Sequence, residues 1–248
     1  MNRESNFYTI VYASVMVVIV AIALAFTSQA LKAPQKENER IDKMQQILRS
    51  VHVAPDKSEV VKVYNNTIKK ELLIAADGSV VATFEGKDIA SNEAFSMNTA
   101  NAFFEVSQGN AQQALPLYIA EVDGATKYIF PMNGAGLWGP IWGFMALDAD
   151  CNTVFGADFS HKGETPGLGA EITTARFSER FVGKHFFRNG DFKSVAVVKS
   201  GQHPAEQDYV DGISGGTLTS NGVHDMLHQS LSFYVPYIKQ LLTEESKQ

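Results

Sequence analysis

Cysteine, clustered basic charge and internal repetition are all scarce in this chain, and each shortage removes a class of function. Cys151 is the single cysteine among 248 residues. One thiol cannot close an intramolecular disulfide or hold an iron–sulfur cluster within the chain. A lone cysteine is commonly a small buried apolar residue. None follows the N-terminal apolar run, so the acceptor of a lipoprotein anchor is missing. Lys and Arg number 21 against 27 Asp and Glu, a net charge of −6, and form no dense patch. Nucleic acid is therefore not an expected partner. No G-x-G-x-x-G is read after a strand, so this chain is not expected to bind NADH itself. Without repeats or long low-complexity tracts, solenoids and propellers are set aside. What remains is an ordinary globular composition, 45% hydrophobic and 19% charged, long enough for one sizeable core.

Charge is missing altogether from Phe7 to Phe26, FYTIVYASVMVVIVAIALAF. Twenty helical residues span about 30 Å, the hydrocarbon thickness of a bilayer. Residues 1–30 are therefore expected to hold a single transmembrane anchor. A cleaved signal peptide is the rival, with Ser28-Gln29-Ala30 as a cleavage-like site, but its apolar region runs to roughly 7–15 residues. A fully buried core helix is the other reading, and this chain is small to wrap one. A lone uncharged span offers no ion pathway. Arg3 and Glu4 precede the span; Lys32, Lys36, Arg40 and Lys43 follow it. A literal positive-inside count places the following domain in the cytoplasm, a rule that weakens when that domain is long.

Residues 31–58 are expected to form a stalk or docking helix, with coiled-coil pairing the weaker option. Ile41, Met44, Ile47, Leu48 and Val51 fall at helical spacing and make one apolar stripe. From residue 60 the period shifts toward two. Leu72–Ile74, a turn at Ala76-Asp77-Gly78 and Val80–Phe84 read as a hairpin. Residues 86–114 read as a helical or irregular insertion. Leu115–Val122, an Asp123-Gly124 turn, Tyr128–Met132, Ile141–Leu147 and Thr153–Phe159 read as strands. Ala170–Phe181 looks helical, and Asn189-Gly190 marks a turn before a strand at Lys193–Lys199. A last helix is expected from Thr219 to Leu242, kinked near Val235 by Pro236. Residues 59–248 thus read as one α+β domain, helices flanking a mostly antiparallel sheet.

Three glycine-rich segments are candidates for chemistry. Asp211-Gly212-Ile213-Ser214-Gly215-Gly216-Thr217-Leu218-Thr219-Ser220 stands before the last helix. Free N–H groups and the positive helix end suit a phosphate there; a plain helix cap among turn glycines is the alternative. Gly163-Glu164-Thr165-Pro166-Gly167-Leu168-Gly169 is a tight loop, either ligand-binding or merely a turn. Gly134 to Gly143 carries both tryptophans, Trp138 and Trp142, among glycines. A flat aromatic cofactor needs such apolar walls; core filling is the other reading. His224 and His228 are i, i+4 and could share a metal, but no third ligand supports them, so no metal is expected. His161 and Lys162 adjoin the second segment.

The Asp-x-x-Ser-Gly-Gly-Thr-x-Thr run resembles the covalent flavinylation motif of FMN-binding domains, and GETPGLG and GLWGPIWGF resemble that domain's other signatures. With the N-terminal span and the length, nearly the whole chain resembles the C subunits of sodium-translocating NADH:quinone oxidoreductases. One departure is Gly216, where the family usually has Ala. The resemblance implies FMN bonded through its phosphate to Thr217, with Thr219 as competing acceptor. It places Gly215 and Gly216 in the motif core, and Asp211 and Ser214 at positions read by a separate flavin transferase or used to hold the loop. Glu164, Thr165, Gly167 and Leu168 would line the flavin, with Trp138 in its apolar neighbourhood.

It further implies a subunit that is not catalytic alone. The chain would pass single electrons between redox centres of a membrane complex that oxidises NADH, reduces ubiquinone or menaquinone and exports sodium. The partners would be the other subunits, the membrane and, during maturation, the transferase. The chain would cross the bacterial inner membrane once, its flavin domain on the periplasmic side. Two alternatives stand beside this: the G subunit of the related ferredoxin:NAD oxidoreductase, and a cofactor-free anchored interaction protein.

Overall fold

The computed structural model describes residues 6–245. Arg3 and Glu4, used in the charge count, lie outside the described residues, as do the first five residues of the expected anchor and the last three of the expected domain. The chain divides into two compact units, Met1–Lys43 and Met44–Gln248.

Helix α1, Asn6–Ser50, contains the uncharged run and the apolar stripe as far as Leu48, with Val51 in the turn that follows. Pro34 lies inside it without ending it, although proline forfeits one i→i−4 bond. One 18-residue window reaches a mean hydropathy of 2.6 with 0% of it buried. Length and composition therefore suffice to cross a membrane. Within the second unit, Met44, Ile47, Leu48 and Val51 are all fully buried, so the stripe faces protein.

Six strands form one antiparallel sheet: β1 Ile68–Ile74, β2 Val80–Glu85, β3 Leu115–Val122, β4 Ala125–Ala135, β5 Pro140–Leu147 and β6 Val154–His161. Their order is β2-β1-β3-β4-β5-β6. The hairpin and the strands expected from Leu72 to Phe159 are all present, β4 extended beyond Tyr128–Met132 at both ends. The polar segment between β2 and β3 folds into a 3-10 turn, Ile89–Ser91, and helices α3, Glu93–Ser96, and α4, Thr99–Ser107. Its asparagines act as caps: Asn92 accepts from Phe95 N and Asn98 from Asn101 N, replacing bonds that the helix starts lack.

Alternation sends Leu72, Leu117, Phe130 and Met145 to one face. Covering them are α6, Thr217–Ser232, and α7, Val235–Glu245. The other face meets α2, Val60–Thr67, α3 and the last turns of α1. Three side-chain contacts fasten the end of α1 and the turn after it there. Trp142 Nε1 donates to Gln46 Oε1 at 2.9 Å. Arg49 grips both oxygens of Asp158 at 2.7 and 3.0 Å. His52 Nε2 lies 2.8 Å from Phe155 O. A Cβ on Gly156 would collide with Ser50 O, so bare backbone permits the approach.

Three expected elements differ. Ala170–Phe181 is not one helix but a 3-10 turn, Gly169–Thr173, a short α5, Ala175–Ser178, and a second 3-10 turn, Glu179–Phe181. Thr174 is extended, at φ −81 and ψ 143. The break lets Phe177 and Phe181 pack on Phe159, with ring centroids 5.4 and 5.1 Å away. Asn189-Gly190 does turn, with φ 54 and 83, joining β7, Phe187–Arg188, to β8, Asp191–Phe192. The strand after it shrinks to β9, Ala196–Val198, because Lys193 N and Ser194 N both donate to Phe186 O. β9 pairs in parallel with β10, Tyr209–Asp211. The expected terminal helix becomes two. Pro236 has no N–H to bond the Ser232 carbonyl, so α6 stops at Ser232 and α7 restarts at Val235.

Tyr234, at that break, is fully buried and donates to Pro116 O at 2.8 Å. Burial pushes its ionisation well above the ordinary tyrosine range, and burial does the same first for Tyr64 and Tyr118. The unfolded chain loses these protons from about pH 10 while the folded chain keeps them. Stability is therefore fully present below that pH and declines above it. Tyr234→Phe in the detergent-solubilised full chain should cost about 1 kcal/mol at neutral pH and make the alkaline decline shallower, measured by urea denaturation across pH.

Candidate functional site

The loop after β10 is tied at both ends. Gly212 N donates to Val198 O at 2.7 Å, and Arg180 Nη1 to Asp211 O at 2.7 Å. Ser220 closes it from inside α6: its Oγ accepts from Ile213 N and donates to Gly216 O. Gly215 stands at φ 76, a left-handed conformation that suits glycine. Gly216 is the N-cap and supplies no side-chain bond. The N–H groups of Thr217, Leu218 and Thr219 therefore have no partner within the helix, and the positive dipole end is bare. Thr217 is the first helical residue and is exposed.

Glu164 joins all three glycine-rich segments. Only 5% exposed, it accepts from Trp138 N on Oε1 at 2.9 Å and from Thr219 Oγ1 on Oε2 at 2.6 Å. Its own N–H donates to His161 Nδ1 at 3.0 Å. A Cβ on Gly136 or Gly169 would strike the carboxylate oxygens. Two of the motif glycines thus make room for this one side chain. Thr219, 1% exposed, has its hydroxyl inside that contact, whereas the hydroxyl of Thr217 has no such engagement.

Around Thr217 a cleft of ≈ 340 Å³ opens, within the range of small-molecule sites. Of the residues singled out from the sequence, Thr217, Gly215, Gly216, Glu164, Thr165, Leu168 and Trp138 line it. Gly167, at φ 75, shapes the loop instead. Ser214 lines a second cleft of ≈ 530 Å³ beyond the loop after β10, which also borders Thr217. Asp211 lies in β10, its carbonyl held by Arg180. Leu137 and Leu218 also border the first cleft and were not foreseen. With Trp138 and Leu168 they are large apolar side chains left exposed, Trp138 by 67%. Sequence cannot tell an exposed leucine from a buried one, so no signal marked them.

Trp142 does not reach the cleft; it bonds α1 on the other face. His161 serves the loop backbone. His224 Nδ1 accepts from Val197 N at 3.2 Å, and His228 packs on Phe192; each has its own partner. Gly134-Ala135-Gly136-Leu137-Trp138-Gly139 does spell G-x-G-x-x-G after a strand, but it leads into β5 rather than a helix. It is a hairpin connection without the helix N-terminus that a dinucleotide needs.

The FMN-binding domain family matches residues 136–232, an interval that contains all three segments from Gly136 onward. The C subunit of the Na(+)-translocating NADH-quinone reductase of Pseudomonas aeruginosa is 31% identical over 239 residues, covering 92% of each chain. Its counterpart from Vibrio parahaemolyticus is 31% identical over 215 residues, 83% of this chain and 82% of that one. The crystal structure of the corresponding C subunit from Parabacteroides distasonis superposes with a TM-score of 0.74 at 48% identity, covering 84% of this chain and 96% of that one.

The bridge through Glu164 has a thermodynamic signature. Glu164→Ala should destabilise the chain by about 2–3 kcal/mol, because two buried donors lose their acceptor. Combined with Thr219→Val, the loss should fall short of the sum of the single losses by about 1 kcal/mol. Urea denaturation of the four chains measures this; strict additivity would mean that the contact does not hold the segments.

Proposed function

This chain belongs to the family of Na(+)-translocating NADH-quinone reductase C subunits, and we propose that it carries FMN as a phosphoester on Thr217. It is a subunit of an oxidoreductase complex with an FMN-binding domain, and other subunits are its partners.

The observation that favours Thr217 is the contrast between two threonines of one motif. The Thr217 hydroxyl is exposed at an uncapped helix start; that of Thr219 is buried on Glu164. The residues present fit the group. Backbone N–H groups of Thr217, Leu218 and Thr219, with the helix dipole, would bind the phosphate. Leu137, Trp138, Leu168 and Leu218 would keep water from the ring. The glycines at 215 and 216 keep the hydroxyl open to the flavin transferase that makes the bond, with Asp211 and Ser214 as features for that enzyme to read. When bound, FMN supplies one- and two-electron transfer. The protein holds it against dissociation and fixes its distance from neighbouring centres.

Residues 1–30 then act as the single-pass anchor in the bacterial inner membrane, 31–58 as stalk or docking helix and 59–248 as the FMN-binding domain, placed on the periplasmic side. The chain relays electrons on their way from NADH to quinone, leaving NADH binding and sodium passage to other subunits. The G subunit of the ferredoxin:NAD oxidoreductase is the weaker reading, because relatives matched over most of the chain are C subunits.

Co-expressed with a flavin transferase, the denatured wild-type band should fluoresce under ultraviolet light. Thr217→Ala should be dark and Thr219→Val should still fluoresce. The tryptic peptide spanning 200–239 should carry the mass of the flavin phosphate. A dark wild-type band would sink the assignment and favour the cofactor-free interaction protein.

A further inference from the structure

We propose that Glu164, besides holding the loops together, tunes the electron affinity of the flavin through its charge. The proposal rests on the reading that FMN on Thr217 occupies the adjacent cleft.

Among the described residues lining that cleft, Glu164 alone has an ionisable side chain. It is nearly buried, and both oxygens accept hydrogen bonds, from Trp138 N and from Thr219 Oγ1. Two accepting oxygens are the pattern of a carboxylate rather than of its acid. The fold by itself does not require a charge here. A glutamine could accept from Trp138 N through its oxygen and donate to Thr219 Oγ1 through its amide. An ion is costlier to bury than an amide, so its place at a cleft wall points to a use of the charge.

The carboxylate acts through its field. Reduction would add one or two electrons to a bound oxidised ring, and fewer protons than electrons would leave it negatively charged. The electrons arrive from the NADH side of the complex and leave toward quinone. A fixed negative charge close by, in a site of low dielectric, opposes the added negative charge. It therefore lowers the midpoint potential and favours release of electrons to the next acceptor. The hydrogen bond from Thr219 spreads part of this charge, so losing that donor should lower the potential further.

The test uses full-length protein matured with the transferase, its attachment checked by mass spectrometry, and titrated by spectroelectrochemistry in detergent. Glu164→Gln should raise the midpoint by at least the equivalent of a tenfold change in the equilibrium, about 30 mV for a two-electron couple. Thr219→Val, which keeps the carboxylate and removes one donor, should lower it. Opposite signs support the proposal, since loosened packing would move both variants the same way. An unchanged or lowered midpoint in Glu164→Gln overturns it, as does a rise in both. If Glu164→Gln takes up no flavin, Thr219→Val decides alone: a lower midpoint supports the proposal, an unchanged or higher one overturns it. Wild-type protein without flavin at Thr217 would instead sink the acceptor assignment.

Discussion

One buried carboxylate organises the functional end of this domain. Glu164 receives a backbone N–H from the β4–β5 connection and a side-chain O–H from α6. Three stretches far apart in sequence are thereby held to one geometry. The contact is possible because Gly136 and Gly169 present bare backbone to the carboxylate. A side chain at either position would push the segments apart. Much of the glycine in these motifs therefore serves close packing.

The same contact separates two neighbouring hydroxyls. Thr217 and Thr219 are two residues apart at a helix start, so a turn of about 200° separates their directions. One faces the protein and meets Glu164; the other is exposed at the uncapped end. Helix geometry thus selects the candidate acceptor, and Glu164 withdraws its competitor. The apolar side chains around the cleft are exposed at a cost in water contact, which is reasonable only for a surface that something else covers.

On the opposite face of the sheet, the last turns of α1 and the turn that follows are fastened at β5 and β6 by Gln46, Arg49 and His52. These are the strands that lead away from Trp138 and toward Glu164. Packing here uses an aromatic with a polar handle, a bidentate ion pair and a glycine. Trp142 is the residue whose role this settles: its N–H is used by Gln46.

By itself the sequence determined the period of the strands, the uncharged span and the three motifs, because each depends on neighbours within a few residues. Leu115–Val122 is a short apolar run bounded by an Asp-Gly turn whatever surrounds it, and Phe7–Phe26 is apolar without reference to the fold. Tertiary contacts decided the rest. Ala170–Phe181 breaks into turns so that Phe177 and Phe181 can reach Phe159. A hairpin glycine run resembles a dinucleotide fingerprint until the strand after it is seen. Which of Thr217 and Thr219 stays open depends on a carboxylate more than fifty residues away. Contacts at that separation leave no local pattern, since burial and hydrogen bonding are properties of the assembled neighbours and not of the residue.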